Sequence, residues 1–245
     1  MPINESQEFL DAFKGFENHY ILIGGTATSI VLAEYELESR STKDYDMVIM
    51  DSKKDQGFYK AVMRFLEEGD YTPNVLGGKG KLYRFTTHKN GYPKMLELFS
   101  NKPYWLKDEY RTAPVHFDED MSLSALLLDK DYYNLLEIGR EIRKGYSVLN
   151  NKYLIVFKAK AWLDLSRKKK SGERIDSKNI KKHLNDIARL TGSLQDLEIE
   201  IPESIRKDMD DFLEELKNDL NIIPQNDDIV LDQNNIYEVL SSLLK

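Results

Sequence analysis

The stretch from Leu22 to Met50 constrains the fold more than any other part of the chain, because it changes from strand to helix to strand. Apolar residues lead into Gly24 and Gly25, and Thr26 then suits the N-cap of a helix. Residues 44–50 alternate and are rich in Val, Ile and Met, which indicates a second strand. The stretch therefore predicts a strand–helix–strand unit with a glycine turn at one end and two carboxylates at the other.

The rest of the chain divides into a mixed first half and a helical second half. The first half adds two helical patterns and two strand patterns, over 5–17, 55–68, 81–87 and 94–100. After about residue 120 only helical patterns follow, over 123–139, 152–167, 177–190, 202–220 and 235–244. We predict an α+β fold, with a mixed sheet and flanking helices in residues 1–120 and a helical domain in residues 121–245.

The composition excludes several classes of protein. The chain of 245 residues has no cysteine, so disulfides and thiolate zinc sites are excluded and a reducing compartment is expected. No apolar run approaches the roughly 20 residues that span a bilayer, and the N-terminus lacks the segments of a signal peptide. We therefore expect a cytoplasmic protein without a membrane partner. The net charge of -7 restricts any nucleic-acid binding to a local basic surface.

The second strand of this unit carries two acids on one face. Side chains two apart on a strand point the same way, so Asp44 and Asp46 project together, away from Tyr45. Such pairs are common at a solvated strand edge. They also suit Mg²⁺, which takes one or two carboxylates and completes its shell with phosphate oxygens and water.

The glycine pair also has two interpretations. Gly24 and Gly25 stand where a strand meets a helix start, and the absence of side chains lets a phosphate approach unpaired backbone N–H groups. The Thr26 hydroxyl would add a donor. The simpler interpretation is a tight turn that packs the helix back onto the sheet.

A third acid, Glu97, lies alone in an apolar strand. If both faces of that strand are covered, the carboxylate needs a metal, a cation or a proton, because an unpaired buried charge is costly. Two acids on one strand and a third on a neighbour would hold two Mg²⁺ ions, one orienting a triphosphate and the other activating a hydroxyl.

Together these residues resemble a known family. Gly24-Gly25-Thr26, the string Arg40-x-Thr42-x-Asp44-x-Asp46 and the later Glu97 are similar to the motifs of the nucleotidyltransferase superfamily, which has the DNA polymerase β-like fold. Within it, the chain most resembles the AbiEii-type nucleotidyltransferases, the toxins of certain bacterial toxin–antitoxin and phage-defence systems. The motif match is best over residues 21–50, with weaker support from Glu97 and residues 154–190.

The resemblance implies an enzyme that moves a nucleoside monophosphate from an NTP to a hydroxyl acceptor, with one or two Mg²⁺ ions as cofactor. It implies phosphate contacts for three residues and metal binding for three others, namely Gly24, Gly25 and Thr26, and Asp44, Asp46 and Glu97. Glu97 would also help to deprotonate the acceptor hydroxyl, a position in which the family more often has Asp.

A lysine on the helix predicted over 152–167 joins the candidate site. At about 100° per residue, Lys158 shares the apolar face with Trp162, whereas Lys160 lies toward the other side. Such a lysine extends its amine to solvent, forms a structural ion pair or faces a triphosphate. The family carries a Lys-x-x-Ala pattern here, which Lys158 and Ala161 match, so we expect Lys158 to contact the triphosphate.

The next helix departs from the family pattern. Relatives commonly have two acids three apart, where this chain has His183 and Asp186. Asp186 is expected to position Lys158, to contact the nucleotide or to pair with a basic neighbour, and His183 to have a structural role. Arg40 is expected to neutralise phosphate charge or to pair with Asp44.

The acceptor and partners are open to alternatives. The basic segment from Arg167 to Lys182 suits the end of a tRNA or another RNA, and it is equally typical of a solvated helix face. A small hydroxylated antibiotic is the alternative acceptor for the same chemistry. A non-catalytic protein that binds a nucleotide or a partner is the alternative from another class. The resemblance also implies a cognate antitoxin protein.

Overall fold

A mixed sheet of seven strands forms the centre of the molecule in the computed structural model, which describes residues 5–40, 42–50, 55–73, 82–99 and 130–244. The strands are β1 (Tyr20–Ile23), β2 (Asp44–Ile49), β3 (Thr72–Pro73), β4 (Leu82–Thr86), β5 (Met95–Phe99), β6 (Arg140–Arg143) and β7 (Tyr146–Leu149). Their order is β3-β4-β5-β2-β1-β7-β6. Because β2 pairs parallel with β5, the two strands that carry the candidate acids are neighbours near the centre.

Eight α-helices flank the sheet within the described part of the chain. They are α1 (Gln7–Phe13), α2 (Gly24–Glu34), α3 (Gln56–Glu68), α4 (Lys130–Ile138), α5 (Asn151–Lys170), α6 (Ser177–Thr191), α7 (Glu203–Asn218) and α8 (Gln233–Ser242). α1 and α3 cover one face of the sheet, where Phe9 packs against Tyr45 and Phe65. α2, α5 and α6 pack together over the other face, toward which Asp44 and Asp46 project. The predicted α+β class is confirmed.

Local signals place several helix starts correctly. The Asp55 carboxylate accepts from the backbone N–H groups of Gly57 and Phe58, 2.6 and 3.1 Å away, and so caps α3. Asp176 caps α6 in the same way. The predicted N-cap at Thr26 is wrong, because α2 begins two residues earlier, at Gly24. These caps are local features, which explains why the sequence indicates most of them.

A β-hairpin formed by β6 and β7 is the main feature that the sequence analysis misses. β7 pairs parallel with β1, so this hairpin extends the sheet from beyond the predicted domain boundary. Its strands have four residues each, too few for a clear alternation, and its turn at Lys144 and Gly145 has the two positive φ angles of a type I′ turn. The first part of the helix expected over 123–139 lies outside the described residues, and the boundary near residue 120 stays a prediction.

α5 is the helix that brings the second half of the chain over the sheet. The Asn150 side chain caps its start, and residues 153–159 are buried at every position. Lys158 is among them, whereas Lys160 lies nearer the surface with its amine 2.9 Å from Asp208. Lys158 and Lys160 thus differ in depth as predicted, although the helix is buried on all sides over residues 153–159. In the described ranges, no helix has the length and apolar character needed to cross a membrane.

Candidate active site

The sheet brings the three predicted acids together on one face. Asp46 on β2 lies opposite Glu97 on β5, and Glu97 lies opposite Arg84 on β4. Directly opposed residues of neighbouring strands share a face, so these three side chains form a row across the sheet. Asp44 projects beside this row from the same face of β2. We call Asp44, Asp46, Glu97 and Arg84 the acid wall.

Glu97 is the buried member of the acid wall, with 4% of its surface exposed. Its Oε1 accepts from both Nε and Nη2 of Arg84. Burial, together with the charge and the hydrogen bond of Asp46, raises the pKa of Glu97 to about 9, although Arg84 acts in the opposite direction. Burial and the neighbouring Asp46 thus favour the protonated form of Glu97. Arg84 is a cation of the kind that the sequence predicts beside this acid.

Asp44 differs from its neighbours because it is only partly buried. Burial raises the pKa of its carboxyl above the ordinary value, and the positive charges of Arg84, Arg40 and Lys182 oppose that shift. Asp44 thus lies among several cations, which only partly offset the effect of burial on its carboxyl group.

The glycine turn lies directly against the acid wall. Gly24 has a φ of 68°, a region that favours glycine, and a Cβ at this position would overlap the carboxylate of Asp46. A Cβ at Gly25 would lie 2.6 Å from Nη2 of Arg40. The cap position of α2 is Ile23, whose side chain has no acceptor for the first N–H groups of the helix. The start of α2 therefore has no cap from its own N-cap residue, and its first N–H groups lie beside the acids.

Thr26 occupies a different place from the one predicted for a phosphate ligand. Its side chain is 1% exposed, and its hydroxyl donates to the backbone carbonyl of Asp44 at 2.6 Å. Because α2 begins at Gly24, residue 26 has already turned toward the sheet. The Thr26 side chain therefore fixes α2 to the start of β2 and does not line the cleft between them.

The wall opposite the acids is a cluster of two cations and one acid, Lys158, Arg40 and Asp186, which we call the basic wall. Lys158 Nζ lies 2.7 Å from Asp186 Oδ2, and Arg40 Nε lies 3.3 Å from the same oxygen. Burial raises the pKa of Asp186, but the neighbouring Lys158 and Arg40 charges outweigh it and hold that pKa below its ordinary value. Burial also lowers the pKa of Lys158, against the pull of Asp186.

This geometry bears on the alternatives for Asp186 and Arg40. Asp186 is 1% exposed, so it lies behind Lys158 and outside the cleft, where it positions the amine and pairs with basic neighbours. Its Oδ1 is buried without a hydrogen-bond partner in the described part of the chain. Arg40 pairs with Asp186, not with Asp44 as one alternative had it.

His183 lies one helical turn before Asp186 and lines the cleft. Burial holds the pKa of its ring well below the ordinary value, and the charges of Lys158 and Lys182 act in the same direction. The ring is therefore neutral at physiological pH. Among the described residues, Nδ1 has no hydrogen-bond partner. The residue that replaces an acid of the family pattern thus adds no charge to the cleft.

The two walls enclose a single cleft of about 190 Å³. Most of the residues named from sequence line it, namely Gly24, Gly25, Arg40, Asp44, Asp46, Glu97 and Lys158. The structure adds Arg84 and Lys182, which the sequence analysis did not single out. A signal for Arg84 was present, because it is the one charged residue between Leu82 and Thr86, as Glu97 is in its own strand.

The donors of the acid wall suit Mg²⁺. Among the described residues, no group of three acidic or histidine side chains stands ready as a metal cage. Mg²⁺ does not need one, since it keeps several waters and binds through one or two carboxylates and substrate phosphates. Asp44 and Asp46 fit that requirement, because their carboxylates project from one face of β2 into the cleft. Glu97 fits less well, because Arg84 already occupies its Oε1.

No protein-family model, curated protein or solved structure matches this chain. The resemblance to the nucleotidyltransferases therefore rests on the residues and motifs themselves, and the family stays a prediction.

Proposed function

We propose that this chain is a Mg²⁺-dependent nucleotidyltransferase, which transfers a nucleoside monophosphate from an NTP to a hydroxyl group. The observation that carries the proposal is that the start of α2, the Asp44–Asp46 pair and Lys158 face one cleft. Phosphoryl transfer depends mostly on positioning and on neutralising charge. An anion-binding helix start, a metal-binding acid pair and a buried lysine supply both.

Each wall has a separate part in this proposal. The N–H groups at Gly24 and Gly25 bind a phosphate, and Lys158 and Arg40 neutralise the charge of the triphosphate. Asp44 and Asp46 would hold Mg²⁺, which when bound neutralises charge at the reacting phosphate. A cleft of 190 Å³ is below the roughly 300–1,000 Å³ of ordinary ligand pockets, so it takes the triphosphate end and leaves the base outside.

The reaction makes one bond and breaks one. The acceptor oxygen attacks the α-phosphorus, the bond from that phosphorus to the bridging oxygen of pyrophosphate breaks, and pyrophosphate leaves. The proton of the acceptor hydroxyl passes to a carboxylate of the acid wall. Asp186 keeps Lys158 and Arg40 in place during the exchange, because it accepts from both.

The test uses NTPs labelled at the α-phosphate, with Mg²⁺ and total RNA, protein or small hydroxylated compounds as acceptors. We expect Asp46→Asn to reduce transfer at least about 100-fold, the order lost when one group that stabilises developing charge is removed. Asp210→Asn, an exposed acid on α7, is the matched control and should transfer as wild type does. The proposal fails if the wild type labels no acceptor and Asp46→Asn binds Mg²⁺ and NTP as tightly as the wild type.

For the acceptor we propose the hydroxyl end of an RNA, on the strength of the basic surface at the α5–α6 turn. Two of its cations already form ion pairs within the protein, since Arg167 pairs with Asp211 at 2.6 Å and Lys170 with Glu215 at 2.8 Å. Four further cations of this surface are exposed, namely Lys169, Arg174, Lys178 and Lys181, and Lys182 at its end lines the cleft. We expect RNA affinity to fall steeply with salt, and Lys178→Gln with Lys181→Gln to reduce that slope. A slope near zero would favour a small-molecule acceptor.

One observation favours a second candidate, a protein that binds the nucleotide without turnover. Glu97, the third acid that the resemblance implies as a metal ligand, is held by Arg84. Tight NTP binding with no labelled product from any acceptor would support this candidate. If the toxin resemblance is right, expression arrests growth, Asp46→Asn abolishes the arrest and a cognate antitoxin protein relieves it.

A further inference from the structure

We propose that Arg84 stands in for a second metal ion, so that the acid wall works with a single Mg²⁺ held by Asp44 and Asp46. The inference rests on the proposed function and concerns the same cleft. It changes the role of Glu97 from metal ligand to partner of a built-in cation, and it makes Arg84 part of the site.

The position of Arg84 is fixed by the sheet. It lies directly across from Glu97 in the antiparallel pair of β4 and β5, and Glu97 lies directly across from Asp46. The Arg84 side chain is 11% exposed, and its Nε and Nη2 both donate to Glu97 Oε1. A guanidinium stays charged under all ordinary conditions, so this end of the row carries a permanent positive charge.

The charges of the acid wall then balance with one metal ion. Asp44, Asp46 and Glu97 carry three negative charges when ionised, and Arg84 with one Mg²⁺ carries three positive charges. A second Mg²⁺ beside Glu97 would add two positive charges close to the guanidinium, where like charges repel and little water screens them. A metal ion at Oε1 would also have to displace the two N–H donors of Arg84.

Arg84 also reaches beyond Glu97. It lines the same cleft as Asp44 and Asp46. A residue that only neutralised a buried acid would not need to face the place where phosphate and metal meet. Arg84 therefore acts on the whole acid wall.

The experiment counts metal ions and does not depend on turnover. The protein is dialysed to equilibrium against Mn²⁺ and an α,β-methylene NTP, and manganese and nucleotide retained by the chain are measured. We expect about one Mn²⁺ per bound nucleotide in the wild type, against about two in a two-metal site. Arg84→Lys keeps the charge and should stay near one. Arg84→Gln frees Glu97 and should raise the ratio toward two at high Mn²⁺.

Controls separate this inference from the proposed function. Arg64→Gln, an exposed arginine on α3, should keep the wild-type ratio. A wild-type ratio near two overturns the role of Arg84 and leaves the nucleotidyltransferase intact, whereas no retained nucleotide or metal overturns the proposed function itself. An unchanged ratio in Arg84→Gln also overturns the inference. If that variant does not fold, Glu97→Gln decides, because the inference requires it to keep one Mn²⁺ per nucleotide.

Discussion

The two walls of the cleft contain similar residues but balance their charges in opposite ways. In the basic wall one carboxylate, Asp186, serves two cations within 3.3 Å, so every charge has a partner inside the protein. In the acid wall Asp46 and Glu97 face each other, and burial together with the charge of Asp46 raises the pKa of Glu97 to about 9, although Arg84 donates to it. The acid of the basic wall is thus ion-paired within the protein, whereas burial opposes the ionisation of Glu97 and Asp44 in the acid wall.

The difference indicates which wall changes when substrate binds. A buried ion pair whose partners are fixed gives a rigid surface with a constant charge. A pair of carboxylates that holds a proton exchanges that proton for a metal ion, since the ion supplies the missing charge. We therefore expect the basic wall to determine stability and the acid wall to respond to pH and to metal.

Asp186→Ala should be the most destabilising change. It leaves Lys158 buried and Arg40 half-buried without their carboxylate, and breaking a buried pair by removing one partner costs about 3–5 kcal/mol in the free energy of unfolding. Urea denaturation at pH 7 measures it, with the exposed Asp210→Ala expected to stay within about 0.5 kcal/mol of wild type. A loss under about 1 kcal/mol for Asp186→Ala would show that the ion pairs of Asp186 do not stabilise the basic wall.

Gly24→Ala should cause the second largest loss of stability. Its positive φ costs an alanine about 1–3 kcal/mol, and the new Cβ also pushes the Asp46 carboxylate out of place. Gly15→Ala is the matched control, because Gly15 has a φ of 84° and no atom lies within 4 Å of the place that its new methyl group would take. Calorimetry should show loss of NTP binding for Gly24→Ala alone. Equal losses of stability and binding in both variants would show that the contact with Asp46 is unimportant.

The pH dependence of stability should distinguish the acid wall. The pKa of Glu97 rises from 4.5 to about 9 on folding, so the folded chain holds a proton that the unfolded chain releases across this range. Stability therefore falls as pH rises from about 4.5 to about 9, by at most about 1.4 kcal/mol per pH unit for one proton. Asp46→Asn removes the opposing charge and should flatten the slope. Denaturation at several pH values without metal measures it, and an unchanged slope contradicts the shared proton.

Substitution of His183 should have the smallest effect on the free energy of unfolding. Its folded pKa lies well below 6.5, so the unfolded chain binds the proton more readily and stability falls only as pH drops below that value. Between pH 6.5 and 9 the ring stays neutral and the basic wall keeps its charge. Ring resonances of His183 in NMR spectra should not move in this range, and His183→Gln should change the free energy of unfolding by less than about 1 kcal/mol. A titration near pH 6.5 would show that this wall also responds to pH.

Much of the fold and of the site was predictable because the signals were local. The two-residue period of β2 places Asp44 and Asp46 on one face, and the structure has them so. The apolar surroundings of Glu97 predicted a buried acid with a metal, a cation or a proton, and Arg84 is the cation that pairs with it. The periodicity of α5 placed Lys158 inside and Lys160 toward the surface. In each case a residue's own neighbours in sequence carry the information.

Strand and helix periods fix which side chains share a face, and they made the α+β class, the acid pair, the lone acid and the inward lysine predictable. Three features emerge only in the folded molecule: β6 and β7 join the sheet, Thr26 points inward and Arg84 meets Glu97. These depend on strand register and on where a helix begins. Strand register relates segments that are far apart in the chain. It is therefore fixed only when folding buries a face of the sheet.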